Sequence, residues 1–157
     1  MIIPIVTIVV IVALAVLVCG MSDSAKARRI RQKYKEKQAS RTPVSDEDFC
    51  IKANISKAEV DYVSKFRSAF ATFGGFDSLK MYPEDDYGDY GIAYDDDMAM
   101  FLSDKGLLKD HPNYRYSFPL EEAQDFASLI LLTQKINKEI ERGDTNPLAK
   151  SGWLFRR

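Results

Sequence analysis

Positions 2 to 19 form an apolar run interrupted only by Pro4 and Thr7, and the first charged residue is Asp23. At ~1.5 Å rise per residue a run of this length crosses a ~30 Å hydrocarbon core, so the pattern predicts a membrane-spanning helix over residues 1–21. Residues 22–40 lack Gly and Pro and are rich in Ala, Lys, Arg, Gln and Glu, all good helix formers. The helix is therefore expected to continue past the membrane as an arm. Ser40 to Pro43 breaks it, and Thr42-Pro43-Val44-Ser45 is expected to act as a hinge, since the residue before proline disfavours helix. Residues 22–44 make up this arm and hinge.

The pattern then turns to helical spacing. Ser56-Lys57-Ala58-Glu59 has the form of a capping box. Val60, Val63, Phe66, Phe70 and Phe73 follow at intervals of three and four, laying one apolar stripe along a helix that Gly74-Gly75 ends. Pro119, after Ser117 as a cap, is expected to open a second long helix. Leu120, Ala123, Phe126, Ala127, Ile130 and Leu131 would form its buried face, widened by Leu129, Leu132, Ile136 and Ile140 and closed by Gly143. Between them, Asp95 is expected to cap a shorter helix carrying Met98, Phe101, Leu102 and Leu107. No segment shows sustained strand alternation. The fold class is accordingly all-α: an N-terminal transmembrane helix, then a small helical bundle over 45–143, then a tail over 144–157.

Charge divides the same way. Residues 26–41 hold eight Lys or Arg against the single Glu36, whereas residues 42–157 hold fourteen against twenty-one Asp or Glu. Basic residues beside a span stay on the cytoplasmic side, which puts the N-terminus outside and the soluble domain in the cytoplasm, at a plasma or inner membrane. A cleaved signal would carry its basic residues before the apolar core, so Ala13-Leu14-Ala15 and Val18-Cys19-Gly20 only imitate cleavage or lipoprotein sites. Lys26, Arg28, Arg29, Arg31, Lys33, Lys35 and Lys37 are candidate contacts to anionic lipid, at roughly 1 kcal/mol each near the surface; a bare topology signal is the competing reading.

After the arm about 115 residues remain, enough for one core. Cys50 is the one cysteine in that part and His111 the one histidine of the chain, so no disulfide framework, zinc ligand set or Ser-His-Asp arrangement is expected. No catalytic residue, cofactor or metal is predicted, and no nucleic-acid partner. From Met81 to Ser103 there are seven acidic residues and no basic one: Glu84, Asp85, Asp86, Asp89, Asp95, Asp96 and Asp97. Neither register of the calcium-binding EF-hand loop fits, because counting from Asp86 puts Gly88 and Tyr90 at ligand positions, and counting from Asp85 puts Tyr87 there. The seven are instead a candidate docking face for a basic protein surface, with a merely solvating loop as the alternative. Asn54-Ile55-Ser56 is a glycosylation sequon by letters only. The tail Trp153-Leu154-Phe155-Arg156-Arg157 suits a membrane interface, a protein partner or packing on the bundle.

The order helix, Gly75-Phe76-Asp77, Met81-Tyr82-Pro83-Glu84-Asp85, Asp89-Tyr90-Gly91, then a short helix from Asp95 resembles the acyl carrier protein pattern over about residues 57 to 104. That resemblance implies a small helical bundle in which a second, acidic helix meets partner enzymes. Carriers attach phosphopantetheine to a Ser at the start of that helix. Here the aligned position is Tyr94, no Ser lies between 79 and 102, and Ser78 precedes the Pro-Glu loop. The chain is thus similar to degenerate carrier-like proteins without the attachment Ser. The expected function is a single-pass, membrane-anchored, non-catalytic adaptor or scaffold, held in the bilayer by residues 2–19. The alternative is an acyl-carrier-like or lipid-binding protein with an apolar ligand in the bundle.

Overall fold

The computed structural model describes residues 25–92, 94–112, 114 and 118–143, and over these the chain is all-helical, with no strand. The apolar run 2–19, the expected cap Ser117 and the tail 144–157 lie outside the described residues. Among the described residues no helix is long and apolar enough to cross a membrane.

Among the described residues five α-helices follow one another: α1 over 25–39, α2 Asp46–Lys52, α3 Val60–Gly74, α4 Asp95–Asp104 and α5 Phe126–Glu141. Helix α1 is the basic arm. It buries Tyr34 and Gln38, one turn apart, and these meet Phe76, Asp77, Asp85 and Tyr90 in the stretch between the third and fourth helices. Helix α2 falls where no helix was expected. Ser45 caps it by accepting the Asp48 N–H, and Asp46, Glu47 and Asp48 complement its N-terminal dipole. It buries only Phe49 and Cys50, too few apolar positions to show a period.

Helix α3 carries the expected stripe and ends as expected: Gly75 takes a left-handed conformation at φ 67°, and the Phe76 N–H closes back onto the Ala71 carbonyl. Its start differs. Ser56 caps a 3-10 turn over Lys57–Glu59 by accepting the Ala58 N–H, and the Glu59 carboxylate takes the Gln134 amide of α5 instead of closing a capping box. Val63, Phe66 and Phe70 are fully buried, whereas Phe73, at the edge of the stripe, is 39 % exposed.

Helix α4 has Tyr94 at its N-cap with no side-chain cap bond; Asp95 opens the first turn instead of capping it. Helix α5 starts later than the sequence predicted. Pro119 leads into a 3-10 turn over Leu120–Glu122, and the true start is a reciprocal capping box between Asp125 and Ser128. The free N–H groups of its first residues are also taken up. Phe126 donates to the Asp85 carbonyl at 2.8 Å and Ala127 to that of Pro83 at 2.9 Å, so the Pro83–Asp85 loop sits on the N-terminus of α5. Leu131, expected in the core, faces outward.

Phe66, Phe70, Tyr90 and Phe126 meet one another and Phe49, Phe76 and Phe101 mostly edge to face or tilted, with centroids 4.7–6.0 Å apart. Such pairs are worth about 0.5–1.5 kcal/mol each beyond their buried area. This aromatic centre joins α2, α3, α4 and α5, and Tyr34 extends it to α1 through Phe76 and Tyr90.

Candidate functional site

The acidic segment does not form one face. Asp85 is fully buried and anchors α1 to the domain. One carboxylate oxygen accepts the Tyr34 hydroxyl at 2.5 Å, an Arg41 Nη1–H at 2.7 Å and the Tyr82 backbone N–H at 2.8 Å; the other accepts from Arg41 Nη2 at 2.5 Å. Lys37 Nζ approaches to 3.3 Å. Burial alone would raise the Asp85 pKa, but the Arg41 guanidinium, the Tyr34 hydroxyl and the Tyr82 N–H together hold it below the usual carboxylate range. The same burial and the adjoining carboxylate push the Tyr34 phenol far up. Buried beside them, the Tyr90 phenol is raised as well. Every oxygen of Asp85 is therefore committed to internal bonds, and it is removed from the candidate docking face.

Other contacts extend the anchor. Gln38 exchanges two hydrogen bonds with the Asp77 backbone, and Arg41 also reaches the Lys80 carbonyl. The Arg41 guanidinium lies 4.3 Å from the Tyr82 ring centroid. The segment expected to be a hinge is tied down at Val44, whose N–H donates to the Leu79 carbonyl at 2.7 Å, and at Thr42, whose carbonyl accepts the Tyr82 hydroxyl. Gly91, at φ 81°, lets α1 come close: a Cβ there would stand 2.8 Å from Arg31 Nε. A second buried cation, Arg67 of α3, pairs with Asp46 and donates to the Val44 and Met81 carbonyls, fixing α2 and the start of the domain.

Sequence reasoning missed this network. Tyr34 is the one aromatic residue between positions 20 and 48, and that isolation in a polar arm was the available signal. Arg41 looked like one more basic residue of the arm.

The remaining candidates separate into used and free groups. Asp86 is exposed, but its side chain caps the 3-10 turn Tyr87–Tyr90 through the Gly88 N–H. Asp89 pairs with Lys37 at 3.3 Å. Glu84 is exposed. Asp95, Asp96 and Asp97 stand together in the exposed first turn of α4, and among the described residues none of them is in an ion pair. Tyr94 and Met100, 58 % and 52 % exposed, adjoin them. Of the candidate lipid contacts, Lys26, Arg28, Arg29, Lys33 and Lys35 are exposed. Arg31 instead covers the Phe73 ring, its guanidinium 4.6 Å from the centroid, and Lys37 turns toward Asp85 and Asp89. Among the described residues no group of three or more His, Cys, Asp and Glu is placed to hold a metal ion.

No protein-family model matches the chain, and neither the curated proteins nor the solved structures searched gave a match.

Proposed function

We propose that this chain is a single-pass, membrane-anchored, non-catalytic adaptor whose cytoplasmic bundle recruits a basic protein partner through the first turn of α4. One observation carries the reading. Of the seven acidic residues, Asp95, Asp96 and Asp97 are contiguous and exposed, and among the described residues none of them is in an ion pair, although Asp96 accepts the Asp97 N–H; exposed Tyr94 and Met100 lie beside them. Three exposed carboxylates on one turn make a local negative potential, and a cationic partner surface that complements it associates faster. The apolar pair supplies the desolvated contact that charge alone does not.

The anchored arm supports the same reading. Because Tyr34, Gln38 and Arg41 hold α1 on the domain, a membrane span ending just before α1 would present the α4 face at a set height and angle rather than on a loose tether. The exposed Lys26, Arg29 and Lys33, at i, i+3 and i+7, make a stripe suited to anionic headgroups. A degenerate carrier-like relationship is part of the proposal: Tyr94, at the aligned attachment position, is the N-cap of α4 and cannot take the place of a phosphopantetheine Ser.

The test is co-purification from membranes of the full chain and of the triple variant Asp95→Asn, Asp96→Asn, Asp97→Asn. The variant is expected to lose a partner that dissociates from the native chain as salt rises, while its helicity is unchanged. Recovery of the same partners at the same salt would defeat the docking reading.

A further inference from the structure

A groove of about 460 Å³ runs along α4 beside the end of α3. Its apolar part is Phe73, Phe101 and Met100, the two rings 5.2 Å apart, and Arg31 of α1 closes one side by lying over Phe73. Asp97 and Asp104 stand at i and i+7 on α4, so the two carboxylates lie about 10 Å apart along the helix, with Met100 and Phe101 between them. Acid, apolar, apolar, acid is the resulting stripe. Neither carboxylate is in an ion pair among the described residues, although Arg31 and Lys105 share the groove.

We propose that this groove is the seat of the chain's own segment Trp153-Leu154-Phe155-Arg156-Arg157, and that a partner must displace that segment to dock there. Chemistry and reach both favour this occupant. Three consecutive apolar residues, two of them aromatic, suit the Phe73–Met100–Phe101 floor, and the two arginines that follow suit Asp97 and Asp104. The last turns of α5 are fastened beside the stretch that follows α4. Asn137 donates to the Leu107 carbonyl and accepts the Lys109 N–H, both at 2.8 Å, and Glu141 pairs with Lys109 Nζ at 2.5 Å.

Lys109 is only five residues beyond Asp104, a span of at most about 17 Å, and nine residues separate Gly143 from Trp153, a reach of about 30 Å. Tethering at this length gives an effective concentration in the millimolar range, so even a weak seat is occupied. Seating of the segment needs no partner; its displacement by one rests on the docking reading above and fails with it.

Trp153 is the one tryptophan of the chain and reports directly. The full chain in phosphatidylcholine nanodiscs, one copy per disc, is expected to show blue-shifted Trp153 emission protected from iodide. Both features should be lost in Met100→Asp and in Asp104→Arg, which alter exposed positions and should leave the helicity intact. Combining Asp104→Arg with Arg156→Asp should restore protection. A water-exposed Trp153 in the native chain would overturn the proposal. Protection that survives both groove substitutions would place the segment at the bilayer or elsewhere on the bundle, and protection that vanishes on dilution of the discs would assign the groove to a second copy; either result overturns it too.

Discussion

Replacing Asp85 by Asn removes one negative charge from the centre of the α1 anchor and leaves Arg41, only 13 % exposed, facing a neutral amide. The Asn carbonyl can still accept from Tyr34 or from the Tyr82 N–H, but its NH₂ group cannot accept from Arg41. Breaking a buried pair by removing one partner costs about 3–5 kcal/mol, and the partial exposure of Arg41 puts the expectation at the lower end, about 3 kcal/mol. For a domain of this size that is roughly 10–15 °C in Tm. The assay is thermal and denaturant unfolding of the full chain in nanodiscs, followed by near-UV circular dichroism of the aromatic centre.

The pH dependence has a definite sign. Because the folded pKa of Asp85 lies below its unfolded value, the folded state binds fewer protons, and the stabilisation is complete above the ordinary carboxylate range. It is lost as pH falls through the depressed folded value. The native chain should therefore lose stability at acid pH more steeply than Asp85→Asn, and the two curves should converge there. A loss below about 1 kcal/mol at neutral pH, in the range of an exposed pair, or parallel acid limbs, would show that the Asp85–Arg41 pair does not hold α1 on the domain. Combining Asp85→Asn with Arg41→Met should show coupling, since removing both partners is far less costly than orphaning one.

Two further outcomes follow from the chain's organisation. A reporter fused after position 157 and active on only one side of the membrane should give signal on the cytoplasmic face; signal outside would reverse the topology read from the basic arm. Incubation with a broad-specificity phosphopantetheinyl transferase and coenzyme A should leave the intact mass unchanged, whereas an increment on a fragment containing Ser78 would show that the carrier-like alignment is shifted.

Elements with a strong period were legible in the sequence. The Val63-Phe66-Phe70 stripe and the glycine pair that stops it stand where the spacing put them. Starts were harder to read. Ser56 and Pro119 looked like the openings of long helices, yet each leads into a 3-10 turn, because tertiary partners supply the bonds: Gln134 claims Glu59, and the Pro83–Asp85 carbonyls claim the first N–H groups of α5. Helix α2 was hidden because seven residues with two buried side chains carry no measurable period.

At the candidate site, charge was legible and its use was not. Seven carboxylates look alike in a sequence, while burial, local capping and pairing with Lys37 divide Asp85, Asp86 and Asp89 from the free turn at Asp95–Asp97. Asp86 is used within its own turn, whereas for Asp85 and Asp89 the division depends on residues 34, 37 and 41, brought in from an arm some fifty positions away, which no local pattern encodes.

Site-specific photo-crosslinking in intact membranes decides whether the first turn of α4 is where this chain meets another protein. A benzophenone side chain in place of Tyr94 or Asp96 should yield a discrete adduct with one protein, and the adduct should fade as salt rises. The same probe in place of Leu131, which is exposed on α5, should not yield that adduct. Absence of any adduct at Tyr94 and Asp96, or the same adduct from all three positions, would show that this turn is not a docking site.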